Sequence, residues 1–211
     1  MVDTVTSYQA QTLHRNACQA WERAAAARVR GEPEEGHALT AVILAAAALE
    51  AFLNELVIVA SRRSGSVAHV TEFSTVLADM DNSRASVRSR FFVARILLPG
   101  PHFDKGRRPY QDLDLRFALR DHVLHLRPEK LESSGGAPPK LQKRLSDRGL
   151  LPPPPRPVGS TLSSIQTSEV ARWACDLVVE VIDFFREGAP SDTDTPDPVT
   201  HWLCISDFSR T

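Results

Sequence analysis

The stretch Leu113–Arg127, LDLRFALRDHVLHLR, carries its ionisable residues at spacings that a helix converts into a site. Asp121 and His125 stand four residues apart, so their side chains meet from successive turns. A carboxylate beside an imidazole favours the charged ring, and the C-terminal end of a helix does the same. Both effects strengthen the hold of His125 on its proton, which suits proton transfer near neutral pH. Arg120 precedes His125 by five positions, about 140° round the helix, and its guanidinium is long enough to curve past Leu124 towards the same cleft. His122 points about 60° away from His125, towards Ala118, and reads as a packing histidine. The plainer alternative for the whole set is capping and surface ion pairing, worth under about 1 kcal/mol for each exposed group.

Positioning these groups takes a helix with two apolar faces. Leu113, Phe117 and Leu124 form a narrow stripe, and Leu115, Leu119, Val123 and Leu126 a broader one. Two stripes mean two packing partners: the broader faces the helix's own bundle, and the narrower is left for a second subunit. Arg116, Arg120 and Arg127 fall between the stripes on one flank, with Asp114, Asp121 and His125 on the other. The ionisable groups then line a cleft beside the subunit contact. Pro128 stops the helix.

The rest of the chain is helical in texture. Strand signals are nearly absent, with no sustained apolar/polar alternation and no Asn-Gly or Asp-Gly turn. Helices are expected over Val5–Arg30, stopped by Gly31 and Pro33, and over Glu35–Arg62, apolar nearly all round between Ala38 and Ala60. Shorter ones are expected over Glu72–Met80 and from Arg84 to Leu98, where Pro99, Gly100 and Pro101 intervene. A last long helix is capped by Thr167, carries Val170, Trp173, Ala174, Leu177, Val178, Val181, Ile182 and Phe185 at helical spacing, and stops at Gly188. The fold class is all-α. Residues 1–188 read as a single domain, and 189–211 as a polar C-terminal tail ending in the apolar patch HWLCI. Eight of the fifteen prolines fall between Pro128 and Pro157, so about 128–160 is an excursion of loop and extended chain, with one short helix near Lys140–Arg148. Glu50 and Asn54, four apart on the most apolar helix, need partners if buried. One of the two is expected to reach Arg120 and hold its rotamer, the alternative being an unrelated surface pair.

A length of 211 residues suits one domain with a sizeable core. The net charge of −1 excludes a globally basic nucleic-acid binder and leaves room for a local patch. Lys105, Arg107 and Arg108, in the loop before the site helix, and Arg84, Arg88, Arg90 and Arg95 on the helix before that, form such a patch. It could grip RNA phosphates, or be ordinary solvated surface. Cys18, Cys175 and Cys204 are odd in number and far apart, which argues against a disulfide framework or a zinc site and for a reducing compartment. The uncharged run Ala38–Leu49 is too short to span a bilayer, and Glu50 and Glu55 interrupt the apolar residues beyond it. No secretion signal precedes it, so a cytoplasmic protein without membrane association is expected. No Gly-rich phosphate loop, metal-ligand pairing or G-x-S-x-G elbow occurs.

Arg120-Asp121-His122-Val123-Leu124-His125 has the form R-x4-H with a polar residue after the arginine. It resembles the signature of the HEPN superfamily, small helical bundles of which many are metal-independent RNases. AAALEAFLNEL (Ala46–Leu56) resembles the central helix of one HEPN-like group. HFDKGRRPYQDLDLRFALRDHVLHLRPE resembles its loop and active-site helix, and VARWACDLVVEV its final helix; together these span Ala46 to about Val181. Asp121 stands where asparagine is commoner, His122 where the place is usually apolar, and the proline-rich insert exceeds what a minimal bundle needs.

The resemblance implies a HEPN-like bundle of four to five main helices, with the proline-rich insert before the last long helix. It also implies a homodimer whose two motifs face one another across a cleft. The implied chemistry is endonucleolytic RNA cleavage without metal or other cofactor, in which the 2′-hydroxyl attacks the adjacent phosphorus and leaves a 2′,3′-cyclic phosphate. His125 would be the general base or acid, Arg120 would hold the scissile phosphate, and Asp121 would orient the imidazole. Glu50 and Asn54 would support Arg120, and Lys105, Arg107, Arg108, Arg116 and Arg127 would meet RNA. The implied setting is a toxin or phage-defence effector with an antitoxin or nucleotidyltransferase partner. The alternative is a non-catalytic dimeric module that binds nucleotide, RNA or a protein.

Overall fold

A helix that is apolar on nearly every side needs several neighbours, and α2 (Glu35–Arg62) has them. A computed structural model describes residues 9–62, 68–124, 139–151 and 165–187, and among these seven helices and no strand occur. The fold class is all-α. α1 (Gln9–Val29) makes the most extensive contact with α2, and α7 (Ser168–Arg186) packs against both. α3 (Ala68–Asn82) and α5 (Tyr110–Leu124) take further sides of α2, α4 (Val87–Leu97) sits against α3 and α5, and α6 (Pro139–Asp147) sits on α5. By length and composition α2 is able to cross a membrane, a possibility that the short uncharged run alone does not reveal. Here Ala38, Ala41, Ala45, Leu49, Phe52, Leu53, Leu56 and Ala60 are buried by its neighbours, while Ile43, Leu44 and Val57 are half-buried and Ile58 is exposed.

The seam between α1 and α2 is built from small residues. Ala10, Ala17, Ala20, Ala24 and Ala27 on α1 and Ala38, Ala41, Ala45 and Ala48 on α2 are all buried. Alanine is the strongest helix former and lets two backbones approach closely. α1 ends as its sequence predicts: Gly31 takes φ +69, and the Glu32 and Gly31 amides donate to the Ala27 and Arg28 carbonyls (2.8 and 3.0 Å). Thr167 caps α7, its hydroxyl accepting from the Val170 amide at 3.3 Å. Between α3 and α4 the expected boundary moves. Arg84 does not open α4; it sits at φ +57 as the residue that ends α3, the Ala85 amide donating to Met80 (2.8 Å), and Ser86 caps α4.

A cluster of rings, Phe52, Phe91, Phe117 and Phe185, fills the space between α2, α4, α5 and α7. Two arginines join this interior. Arg95, which the sequence suggests as surface patch, is fully buried; it donates to the Leu98, Pro99 and Glu187 carbonyls (3.1, 2.7 and 2.9 Å) and lies over the Phe184 ring. It ties the end of α4 to the end of α7 by satisfying carbonyls that those helix ends leave open. Arg116 is 0 % exposed and donates to the Val42 carbonyl at 2.7 Å. Burial lowers its pKa to about 10. Near it Cys175 and Cys18 are buried free thiols that His14 brings together, although the sequence sets them far apart. His14 lies 3.5 Å from the Cys18 Sγ and donates to the Cys175 carbonyl. The expected segments Val5–Tyr8, most of the proline-rich excursion and the tail from Gly188 lie outside the described residues.

Glu55 interrupts the apolar run of α2 for a structural reason. Its carboxylate accepts from the Ala10 amide at 2.9 Å, occupying the N-terminal end of α1. Burial raises its pKa above the ordinary 4.5, outweighing the amide bonds that lower it. The folded protein therefore holds this proton more tightly than the unfolded chain, and the associated stability, fully present below pH 4.5, is lost as pH rises through the raised value. Thermal unfolding followed from about pH 4 to 7 is expected to show the wild type losing stability relative to Glu55→Gln as pH rises. Parallel curves would show that Glu55 does not titrate differently on folding.

Candidate functional site

α5 is pinned on its apolar side before any of its polar groups is placed. Leu113, Leu115, Phe117 and Leu119 are all buried, so both expected stripes enter the same bundle. This corrects the assignment of the narrow stripe to a second subunit; only Leu124, 49 % exposed, remains open to one. The physical reason is that α4 and its Phe91 occupy the side that Phe117 faces, with ring centroids 6.2 Å apart. With the apolar residues turned inward, Arg120 and Asp121 emerge at the rim of a cleft of about 240 Å³. Ala85, Ser86, Val87 and Arg88, around the start of α4, and Phe117 complete its lining.

The charged groups here form one alternating chain. Arg120 Nη2 lies 3.0 Å from a Glu50 oxygen, and Arg120 Nη1 donates to Asp121 at 3.2 Å. Asp121 in turn accepts from Arg88 (3.4 Å), Arg88 donates to Asp114 (2.8 Å), and Asp114 pairs with Arg144 of α6 (2.8 Å). Three carboxylates and three guanidiniums thus link α2, α5, α4 and α6. Burial pushes the Asp114 carboxyl up, but the hydrogen bonds and charges of Arg88 and Arg144 outweigh it and hold it below the ordinary carboxylate range. His122 is half-buried, and that burial lowers its pKa, consistent with a packing role.

The expected site residues divide clearly. Arg120 and Asp121 come together, and Glu50 reaches Arg120. Asn54 does not: it accepts from Arg90 at 2.8 Å, and Arg90 also pairs with Asp81 at 2.7 Å. One turn along α2 is enough to exchange the α5 neighbour for the α4 neighbour. His125 and Arg127 lie outside the described residues. Arg116 is enclosed in the core and has no solvent face to offer RNA. Of the loop cations, Arg107 pairs with Asp104 (3.3 Å) and Arg108 with Asp112 (3.0 Å), while the Lys105 ammonium sits 4.4 Å from the Phe92 ring centroid. The sequence sets Arg88 in the basic patch and Asp114 on the flank of α5 that holds Asp121, but it links neither of them, nor Arg144, to Arg120.

Among the described residues no three or more His, Cys, Asp or Glu side chains converge as a metal's ligands would. What the cleft offers is an arginine held between two carboxylates, with N–H groups left over from its five donors. Such a group can bind a phosphate oxygen and stabilise charge that develops on it. Comparison with protein-family models, with curated proteins and with solved structures gives no match to this chain.

The two α2 side chains should differ in their structural weight. Asn54→Ala leaves the buried Arg90 without one acceptor and is expected to cost about 1–3 kcal/mol in urea unfolding. Glu50→Gln alters a partly exposed ion pair and should cost under about 1 kcal/mol. Equal losses would mean that Glu50 is as structural as Asn54.

Proposed function

We propose that the protein is a metal-independent endoribonuclease of the HEPN type, a helical bundle with the proline-rich region inserted ahead of α7, acting as a homodimer. The observation that carries this reading is the pairing of Arg120 and Asp121 at the rim of a cleft, with Glu50 against the guanidinium. In the proposed reaction Arg120 binds the scissile phosphate and stabilises the charge of its transition state. His125 moves the proton, from the 2′-hydroxyl as general base or to the departing 5′-oxygen as general acid. Asp121 orients the imidazole. The O2′–P bond forms as the P–O5′ bond breaks, giving a 2′,3′-cyclic phosphate and a 5′-hydroxyl. DNA lacks the attacking hydroxyl and is not a substrate. The biological setting in this reading is a toxin or phage-defence effector restrained by an antitoxin or nucleotidyltransferase partner.

One observation favours a second reading. Arg120 is already neutralised by Glu50 and Asp121, as expected of an arginine whose role is to hold helices together. On that reading the protein is a non-catalytic dimeric module that binds nucleotide, RNA or a protein. Incubation of wild type, Arg120→Ala and His125→Ala with a mixed RNA pool in EDTA, followed by mapping of the ends, separates the two. Cleavage by wild type with cyclic-phosphate ends, slowed roughly 10²- to 10⁴-fold in folded His125→Ala, is expected. No cleavage from a folded dimer across diverse RNAs would favour the binding module.

A further inference from the structure

A second, larger cleft lies on the far side of Asp114. It measures about 420 Å³ and opens between the loop before α5, the first turns of α5, and α6. Leu115 lines it together with Tyr110 and Gln111, and its walls carry three cations, Lys105, Arg144 and Arg148, against two carboxylates, Asp114 and Asp147. The cations are held differently. Arg148 donates its Nε to Asp112 (2.6 Å) and its Nη2 to the Gln111 side chain (3.1 Å), bonds that leave Nη1 uncommitted among the described residues. Arg144 donates to the Gln111 carbonyl (2.9 Å) while pairing with Asp114. The end of α6 fixes where Arg148 stands: Gly149 turns at φ +69, and the Leu150 amide donates to Leu145 at 3.0 Å. Lys105 alone has no carboxylate among the described residues, its ammonium resting on the Phe92 ring. Arg144 and Arg148 are thus anchored by carboxylates, and Lys105 supplies the positive charge that no acid among the described residues pairs with.

The two clefts share a wall. Arg88 lines the first and Asp114 the second, and these side chains are 2.8 Å apart. A strand crossing that wall would meet Arg120 on one side and Lys105 with Arg148 on the other. We propose that the α5–α6 cleft is a phosphate-binding subsite that takes a nucleotide unit of the RNA strand whose scissile bond lies at Arg120. This rests on the ribonuclease reading for its substrate; the phosphate chemistry of the cleft is independent of it. Lys105 and Arg148 are its binding residues, and Arg144 positions the wall through Asp114.

The test is equilibrium binding to the full chain, separate from cleavage. The probe is a short fluorescent single-stranded oligonucleotide with 2′-O-methyl groups throughout, which the proposed chemistry cannot cut. Anisotropy is read at several salt concentrations. Lys105→Ala is expected to weaken binding roughly tenfold and to reduce the salt slope by about 0.7, the signature of one lost contact to a single strand. Lys105→Arg should restore both. A merely structural Lys105 would not move the slope. Adenosine 5′-monophosphate binding that depends on Lys105, with the oligonucleotide no better, would support the phosphate site and assign it to a free nucleotide. Unchanged affinity and slope in Lys105→Ala, or no binding of either probe, would overturn the proposal. Cleavage of ordinary RNA alongside that negative result would leave the ribonuclease reading standing; Lys105-dependent binding without cleavage would do the reverse.

Discussion

The need to bury most of the apolar surface of α2 governs how the described helices are arranged around it. An apolar helix attracts neighbours without telling them where to stop, because hydrophobic burial is non-directional. Direction comes from the three polar residues that α2 retains along one turn and a half. Glu50 meets Arg120 of α5, Asn54 meets Arg90 of α4, and Glu55 meets the first amides of α1. Each is matched to a different helix, so each helix has a reason to sit at one register. The candidate site is a by-product of this matching, since the helix that presents Arg120 is located by the residue that contacts it.

The alternating chain from Glu50 to Arg144 does a second kind of work. Individually its exposed members contribute little to stability, because water and salt screen them. Collectively they bring four helices to a common surface in which each of the three guanidiniums meets a carboxylate. This balance sets the terms on which an anion could bind. A phosphate arriving at Arg120 must compete with Glu50 and Asp121, whereas one arriving at Lys105 competes with no carboxylate among the described residues. The two clefts are therefore electrostatically unequal although they adjoin.

Much of the fold is readable from local pattern. The bounds of α2, the cap at Thr167 and the turn at Gly31 follow from periodicity and from residues with strong local preferences. The candidate site is readable in part: that Glu50 or Asn54 reaches Arg120 follows from spacing, whereas the pairing of Arg120 with Asp121, which helical geometry sets on opposite flanks, and the link through Arg88 to Asp114 and Arg144 arise only in the folded chain. What sequence hides most thoroughly is the fate of its arginines. Arg88, Arg90 and Arg95 occur within eight residues and look alike, yet one bridges two carboxylates at a cleft, one is held by Asn54 and Asp81, and one closes the ends of two helices from inside. Arg116 is likewise indistinguishable from Arg120 until Val42 supplies its acceptor. A guanidinium can be buried where carbonyls meet some of its donors, and the acceptors that decide this, Glu187 for Arg95 and Val42 for Arg116, lie far away in the chain.

The alanine seam between α1 and α2 limits how such a protein can diverge. Residues there cannot grow without wedging the two helices apart, and each glycine would weaken the helix that carries it by about 1 kcal/mol. The surface of the bundle is free to drift, and so are the identities of its larger core residues so long as their volume is conserved. Descent from a common ancestor would then be recorded less in shared motifs than in a spacing of small side chains, a trace that persists after overall identity has faded.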